Sequence, residues 1–303
     1  MTQALVIGRR RQGRKIADAV RQVRRQLEAG GWSVEESVVN TKGALRRTTA
    51  RSVKHGVNVV VAVGGDGAVL QVVQVLAGSQ VALGIIPMGT GNLLAGNLEI
   101  PKGIDQAVAV LVGGGRRRID LGRLTIGGKR TMFAVACGVG FDAEVMRATG
   151  RSTKLRLGTL AYVAAAVKRQ GQVRDVSHEI TLDGVHHSME ATQVLLANFG
   201  RMGPMMRTRL EVIPDDGLLD VLVIRASGPL GGLLAGWEAL RQGEPGESPE
   251  GHVFRARARK VRISTEAGRL VETDGSVVGR TPVRVSVRPA ALTVIVPASA
   301  PGA

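Results

Sequence analysis

Apolar positions along the chain fall into two regimes. Up to residue 112, short apolar runs alternate with amphipathic stretches. Residues 4–7, 32–39, 57–63 and 81–86 read as strands. Residues 15–29 carry Ile16, Ala19, Val20, Val23 and Leu27 at helical spacing and stop at Gly30-Gly31. The helical series continues through residues 44–55, the stretch after Gly67 with Val69, Val72, Val73 and Leu76, and residues 104–112. Strands alternating with helices at these spacings predict a three-layer α/β domain on a largely parallel sheet.

Beyond Gly113-Gly114-Gly115 and Arg116-Arg117-Arg118 the pattern shortens. Segments 123–126, 131–137, 173–182, 193–198, 218–224, 260–264, 269–272 and 283–287, many with period-two alternation, predict a mostly antiparallel β domain. One helix over 157–168 is expected to pack on it, and GEPGESPEG at 243–251 reads as an exposed loop. The boundary falls near residue 122, giving domains of residues 1–122 and 123–297.

The run 57–63 breaks into Gly64-Gly65-Asp66-Gly67 and then into a helix. In a strand, glycine turn and helix of this kind, backbone N–H groups approach an anion closely at the positive end of the helix dipole. Residues 81–86 run into a second tight turn, Pro87-Met88-Gly89-Thr90-Gly91-Asn92, which opens a short helix. Two such turns at the ends of successive strands are expected to face one crevice. A carboxylate among phosphate-binding amides is repelled unless it holds a cation, so Asp66 favours a nucleotide with magnesium over bare phosphate or a dinucleotide. The competing reading is an ordinary glycine turn with Asp66 as a helix cap. The loop from Gly8 to Arg14, between the first strand and its helix, is a further phosphate-loop candidate through Gly13 and Arg14, or a solvated arginine loop.

Charge adds a partner class. Forty-one Lys and Arg against 25 Asp and Glu give +16, which attracts anionic lipid headgroups, nucleotides or nucleic acid. Two Trp, one Tyr and four Phe are too few for base stacking along a strand, so nucleic acid is set aside. The lone Cys137 allows no intramolecular disulfide and points to a reducing cytoplasm; its apolar surroundings make it a poor nucleophile. Arg9, Arg10 and Arg11 precede a charged helix, so no signal peptide is expected. Residues 67–98 carry no charge, but Gly, Ser, Gln and Pro interrupt them too often for a spanning helix. The five histidines show no metal-ligand spacing, and Asp142 reads as a helix cap.

The motifs GGDGA (64–68), PMGTGNLLA (87–95), IDLG (119–122), GVGFDAEV (138–145), PDDGLLDV (214–221) and TDGS (273–276) follow one another across nearly the whole chain. In them the chain resembles the diacylglycerol kinase catalytic-domain family, which includes sphingosine and ceramide kinases and soluble bacterial lipid kinases. The resemblance implies an N-terminal nucleotide domain, a C-terminal β-sandwich and an active site in the cleft between them. It implies ATP and Mg²⁺ as cofactors and a lipid alcohol as acceptor. Because that acceptor is insoluble, the net charge strongly positive and no spanning segment visible, peripheral attachment to an anionic membrane from the cytoplasm is expected; a homo-oligomer stays open. Gly64, Gly65, Asp66, Gly67 and Ala68, with Thr90 and Asn92, are then the nucleotide-binding residues, joined by Gly13 and Arg14. Asp66 and Asp120 are implied to organise magnesium, although Asp120 also reads as a simple turn aspartate. A structural magnesium is implied on the Asp216 carboxylate and the backbone carbonyls of Ile213 and Leu218.

Some positions depart from the family pattern. Ala68 replaces a threonine, Gln71 stands where glutamate is frequent, and the first loop lacks the Asn-Pro-x-Ser-Gly turn apart from Gly13 and the basic Arg14. Most consequential is Ser276, which occupies the position of the acid taken as the base for the lipid hydroxyl. A neutral hydroxyl cannot accept that proton at neutral pH. Asp274 is left as the candidate for orienting or deprotonating the acceptor, though Asp-Gly between alternating runs is also a standard hairpin turn. The leading expectation is an ATP-dependent lipid kinase; the alternative is a non-catalytic nucleotide- or lipid-binding protein on the same fold. An NAD or sugar kinase has only GGDG in its favour.

Overall fold

Strands whose every residue is apolar form the middle of the first unit. The computed structural model describes residues 1–10, 15–140, 175–200, 212–225 and 252–298. Residues Met1–Leu121, joined by the segment from Ala290, form one compact unit, and Gly122–Pro289 form a second. The chain passes between them within two strands rather than through a linker.

In chain order the first unit contains β1 (Gln3–Arg9), α1 (Lys15–Ala29), β2 (Ser33–Val39), α2 (Lys42–Lys54), β3 (Val59–Gly64) and α3 (Asp66–Leu76). It continues with β4 (Ala82–Pro87), α4 (Leu93–Asn97), α5 (Ile104–Gly113) and the start of β5 (Gly115–Ile126). The strand order is β2-β1-β3-β4, all parallel. All six residues of β3 and all six of β4 are buried, as parallel strands covered on both faces require. Helix α1 packs with α5 and α2 with α3. The helix over residues 15–29 matches its predicted bounds; Ala17 is buried there as well as Ala19, Val20, Val23 and Leu27, while Ile16 is half-buried. Because β2 and β3 lie on opposite sides of β1, the winding reverses beside β1, and the loop leaving β3 opens at that reversal, where open α/β sheets bind ligands.

The second unit contains the rest of β5, then β6 (Lys129–Phe133), β7 (Ala136–Gly140), β8 (Val176–Leu182), β9 (Val185–Ala191), β10 (Gln193–Ala197) and β11 (Leu219–Ile224). It closes with β12 (Val253–Ala258), β13 (Lys260–Thr265), β14 (Leu270–Thr273), β15 (Ser276–Arg280) and β16 (Val283–Val296). One sheet runs β12-β11-β10-β7-β14-β15 and the other β16-β13-β8-β9, antiparallel throughout. Residues of both sheets, among them Val139, Val194, Leu196, Val221, Ile180, Val261, Ile263 and Val285, meet in one buried core, the interior of a β-sandwich.

The structure redraws several predicted segments. The Arg116-Arg117-Arg118 triplet and the predicted segment 123–126 belong to one strand, β5. The run 131–137 splits into β6 and β7 at Ala134-Val135, and the run 283–287 continues to Val296, with a left-handed residue, Ala290, at φ 47°. Its last part pairs parallel to β4 at Val294 and Leu83. Strands β9, β12 and β15 are additions to the predicted set. The helix expected over 157–168, the cap Asp142 and the loop 243–251 lie outside the described residues. Among the described residues, no helix is long and apolar enough to cross a membrane.

Candidate active site

Helix α3 starts without a side-chain cap. Its N-cap is the extended Gly65, which offers no side chain to the first N–H groups of the helix. The second loop lies directly against this start: Met88 N–H donates to Gly64 O at 2.9 Å. A Cβ on Gly65 would stand 2.8 Å from Gly89 Cα, and one on Gly89 2.5 Å from Gly65 Cα. Both positions are glycine because the two loops touch backbone to backbone.

Asn92 fixes the second loop. Held in the left-handed region at φ 47°, it accepts the Gly89 N–H at Oδ1 and donates from Nδ2 to Gly89 O, each at 2.8 Å. Its amide is therefore used inside the turn, while Thr90 is exposed. Asp66 joins the two loops. It sits in the first turn of α3, where the helix dipole favours a carboxylate, and its Oδ1 accepts the N–H of Leu93, the first residue of α4, at 2.5 Å. Asp66 is thus a cap, but of the other loop's helix. Burial raises its pKa, against backbone hydrogen bonds from Leu93, Asn92 and its own N–H that favour the charged form.

Asp120 belongs to the same unit and lies inside β5, not at a turn. It is buried, and its Oδ1 accepts the Ala290 N–H at 2.6 Å, which secures the left-handed residue of β16. Gly13 and Arg14 lie outside the described residues.

In the second unit, Asp274-Gly275 forms the two-residue turn between β14 and β15, with φ 44° and 77°, both left-handed as a type I′ hairpin requires. The Asp274 carboxylate accepts three backbone N–H groups: Ala134 at 2.7 Å on Oδ2, and Val135 and Ala136 at 2.9 and 3.0 Å on Oδ1. Its own N–H donates to Ala136 O at 3.0 Å. These bonds explain the break between β6 and β7, and they engage three of the roughly four acceptor sites that a carboxylate offers. Ser276 is half-buried and pairs with Thr273 across the hairpin. Asp274→Ala removes the acceptor of three N–H groups, and at about 1 kcal/mol each the expected loss is about 3 kcal/mol in urea denaturation. Asp274→Asn, which keeps one acceptor oxygen, should lose less.

Two buried groups flank the hairpin. Glu272, 6% exposed on β14, stands across from Gly138 of β7. Cys137 is fully buried, and burial, then the charges of Glu272 and Asp274, push its thiol far above the ordinary range, so it is no nucleophile. Sequence reasoning passes over Glu272; its signal is an acid two residues before an Asp-Gly turn, inside a run that the alternation marks as strand.

The diacylglycerol kinase catalytic domain family matches residues 3–124, and the YegS C-terminal NAD kinase beta sandwich-like domain family matches residues 135–296. A Mycobacterium tuberculosis diacylglycerol kinase is 31% identical over 90% of this chain and 87% of its own length. The chain belongs to the diacylglycerol kinase family of lipid kinases. An uncharacterized Synechocystis sp. protein is 28% identical over 84% of this chain, which spans 58% of that protein's length. A crystal structure of a diacylglycerol kinase from Bacillus anthracis shares the fold, with a TM-score of 0.75 at 20% identity over 99% of this chain and 98% of that one.

For this lipid kinase family member, the magnesium implied at Asp216 meets an occupied carboxylate. Asp216 Oδ1 accepts the Leu218 N–H at 2.9 Å, and the Arg257 guanidinium forms an ion pair with Oδ2. Arg257 Nε lies 3.8 Å from Asp220, a distance at which it does not offset the burial that pushes the Asp220 carboxyl up to about 6. Ile213 is 47% exposed. Among the described residues no group of three or more His, Cys, Asp or Glu could hold a metal ion. In this arrangement a guanidinium faces the Asp216 carboxylate, and a divalent cation on Asp216 and the backbone carbonyls of Ile213 and Leu218 would have to displace it. EDTA should leave the thermal midpoint unchanged, whereas Arg257→Met should lower stability by about 1–2 kcal/mol, discounted for partial exposure. A midpoint that falls in EDTA and returns with Mg²⁺ would restore the metal to Asp216.

Proposed function

We propose that this protein is an ATP- and Mg²⁺-dependent lipid kinase that transfers the γ-phosphoryl group to a hydroxyl of diacylglycerol or a related lipid alcohol, working in the cytoplasm at the surface of an anionic membrane. The observation that carries the reading is the backbone contact of the two glycine loops at Gly65 and Gly89, with Asp66 bonded across them at the uncapped start of α3. Gly64, Gly65 and Gly67 would present backbone N–H groups to phosphate and the exposed Thr90 hydroxyl would add a donor, while Ala68, whose N–H donates to Gly65 O at 2.8 Å, would line the loop. Asn92 would act by holding the second loop's shape. Magnesium arriving with the nucleotide would neutralise phosphate charge; Asp66, with one oxygen beyond its Leu93 bond, would hold it, and Asp120 would support it from β5.

On the acceptor side, Asp274 is a positioning residue that fixes the hairpin carrying Ser276. Phosphoryl transfer tolerates a weak base because alignment and charge stabilisation supply most of the acceleration. The net charge of +16 supports attachment to anionic lipid. A second reading, a non-catalytic nucleotide- or lipid-binding protein, is favoured by one observation: Ser276 replaces the expected acid, while the Asp274 carboxylate is engaged by three N–H groups. Transfer of label from γ-labelled ATP to a lipid separates the two.

A further inference from the structure

Along β13 and β16 the sandwich sheet alternates strictly. Val261, Ile263, Val283, Val285 and Val287 are buried in the core, and the positions between them face outward. The outward set is Lys260 and Arg262 on β13 and Arg284 and Arg288 on β16, all exposed, with Arg123 of β5 joined to it through Nε and Ser286 Oγ at 3.3 Å. Arg262 stands directly across from Arg284 in the antiparallel register. Like charges directly opposite on a sheet oppose folding. Among the described residues, none of these five side chains makes an ion pair. The carboxylate on the adjoining β8, Glu179, is held by His186 and Ser188, each at 2.8 Å, and faces Ser264. The Asp183 carboxylate, at the end of the same sheet, is taken by the backbone N–H groups of Arg259 and Lys260 at 2.7–3.1 Å, and Glu190 lies on the far strand β9. The centre of the face, Arg262 opposite Arg284, keeps its like-charge repulsion, which a flat polyanionic surface would neutralise.

We propose that this outer sheet face, centred on Arg262 and Arg284, is where the protein docks on a bilayer containing anionic phospholipid. The proposal rests on the lipid kinase reading, in which the acceptor is a membrane component. The composition of the face favours a bilayer over nucleic acid. Its outward positions on β13 and β16 carry no aromatic side chain on which bases could stack. A second copy of the chain would bring the same cations together and is disfavoured by charge.

Co-sedimentation without ATP, using vesicles of phosphatidylcholine alone or mixed with phosphatidylserine, tests the proposal with the full chain. Binding should need the anionic lipid and weaken at high salt. Arg262→Gln/Arg284→Gln should bind about 25-fold more weakly, about fivefold for each arginine near the surface. Arg262→Lys/Arg284→Lys, which keeps the charge, should bind within about twofold to threefold of the parent by the same reasoning. The control Arg46→Gln/Arg47→Gln removes the same charge from exposed positions of α2 and should bind nearly as the parent does. Thermal midpoints check folding, and relief of the Arg262–Arg284 repulsion should not lower them. Equal losses in the two Gln pairs, or undiminished binding by Arg262→Gln/Arg284→Gln, would overturn the assignment. So would loss of RNA homopolymer binding with vesicle binding intact, which would give the face to nucleic acid. Kinase assays on lipid dispersed in detergent micelles keep the two readings apart: inactivity there, with vesicle binding that depends on the sheet face, counts against the kinase reading alone.

Discussion

Asp66→Asn should fold with a thermal midpoint near that of the parent and lose phosphoryl transfer by about 10²–10³-fold, the range typical when one preorganised electrostatic contact in an active site is removed. The amide retains an Oδ1 that can accept the Leu93 N–H, so the start of α4 and the junction of the two glycine loops persist. Because burial already raises the pKa of this carboxyl, losing the charge costs the fold little and relieves some desolvation. What disappears is the anion that would hold magnesium. Activity that survives with the midpoint unchanged would make Asp66 a cap for α4 and nothing more. A midpoint far below the parent's would show instead that the substitution tests folding, and Asp66→Glu, which keeps the charge, would then take its place.

Ser276→Glu should raise kcat by about 10²–10⁴-fold, the usual contribution of a positioned general base. Ser276 opens β15 directly after the turn, is half-buried, and belongs to a hairpin held by the Asp274 carboxylate, so a longer side chain there starts from a fixed backbone. The gain should appear in kcat more than in KM, because a base acts in the transition state and adds little to ground-state lipid binding. A parent already as active as Ser276→Glu would mean that solvent or another group takes the proton. Inactivity of both, with ATP still bound, would favour the non-catalytic reading.

The first unit is largely legible in the sequence because its signals are local. The buried strands β3 and β4 are apolar on both faces, and each is followed at once by glycine turns, so strand, loop and helix succeed one another in plain order. The type I′ turn at Asp274-Gly275 is local too. What the sequence hides is set by distant partners. The break between β6 and β7 is made by a carboxylate 140 residues away, and the left-handed Ala290 is held by Asp120 across 170 residues. Asp216 carries in its own motif no sign of the Arg257 guanidinium that ion-pairs with it. Strand β9, VHHSMEA, buries little besides Met189 and Ala191, so its alternation is too polar to register as a strand. The PDDG motif is a turn by any reading; whether a metal or an arginine neutralises it depends on β12, a strand outside the predicted set. At Asp274 the motif marks a hairpin and an acid, but not that three N–H groups engage that acid.

Transfer of label from γ-labelled ATP in the presence of Mg²⁺ to a panel of lipid alcohols, run side by side for the parent, Asp66→Asn and Ser276→Glu, bears most directly on the proposed activity. A lipid kinase of the proposed kind yields labelled lipid from the parent, far less from Asp66→Asn and far more from Ser276→Glu. Tight ATP binding by all three, with label in no lipid from either the parent or Ser276→Glu, would contradict it.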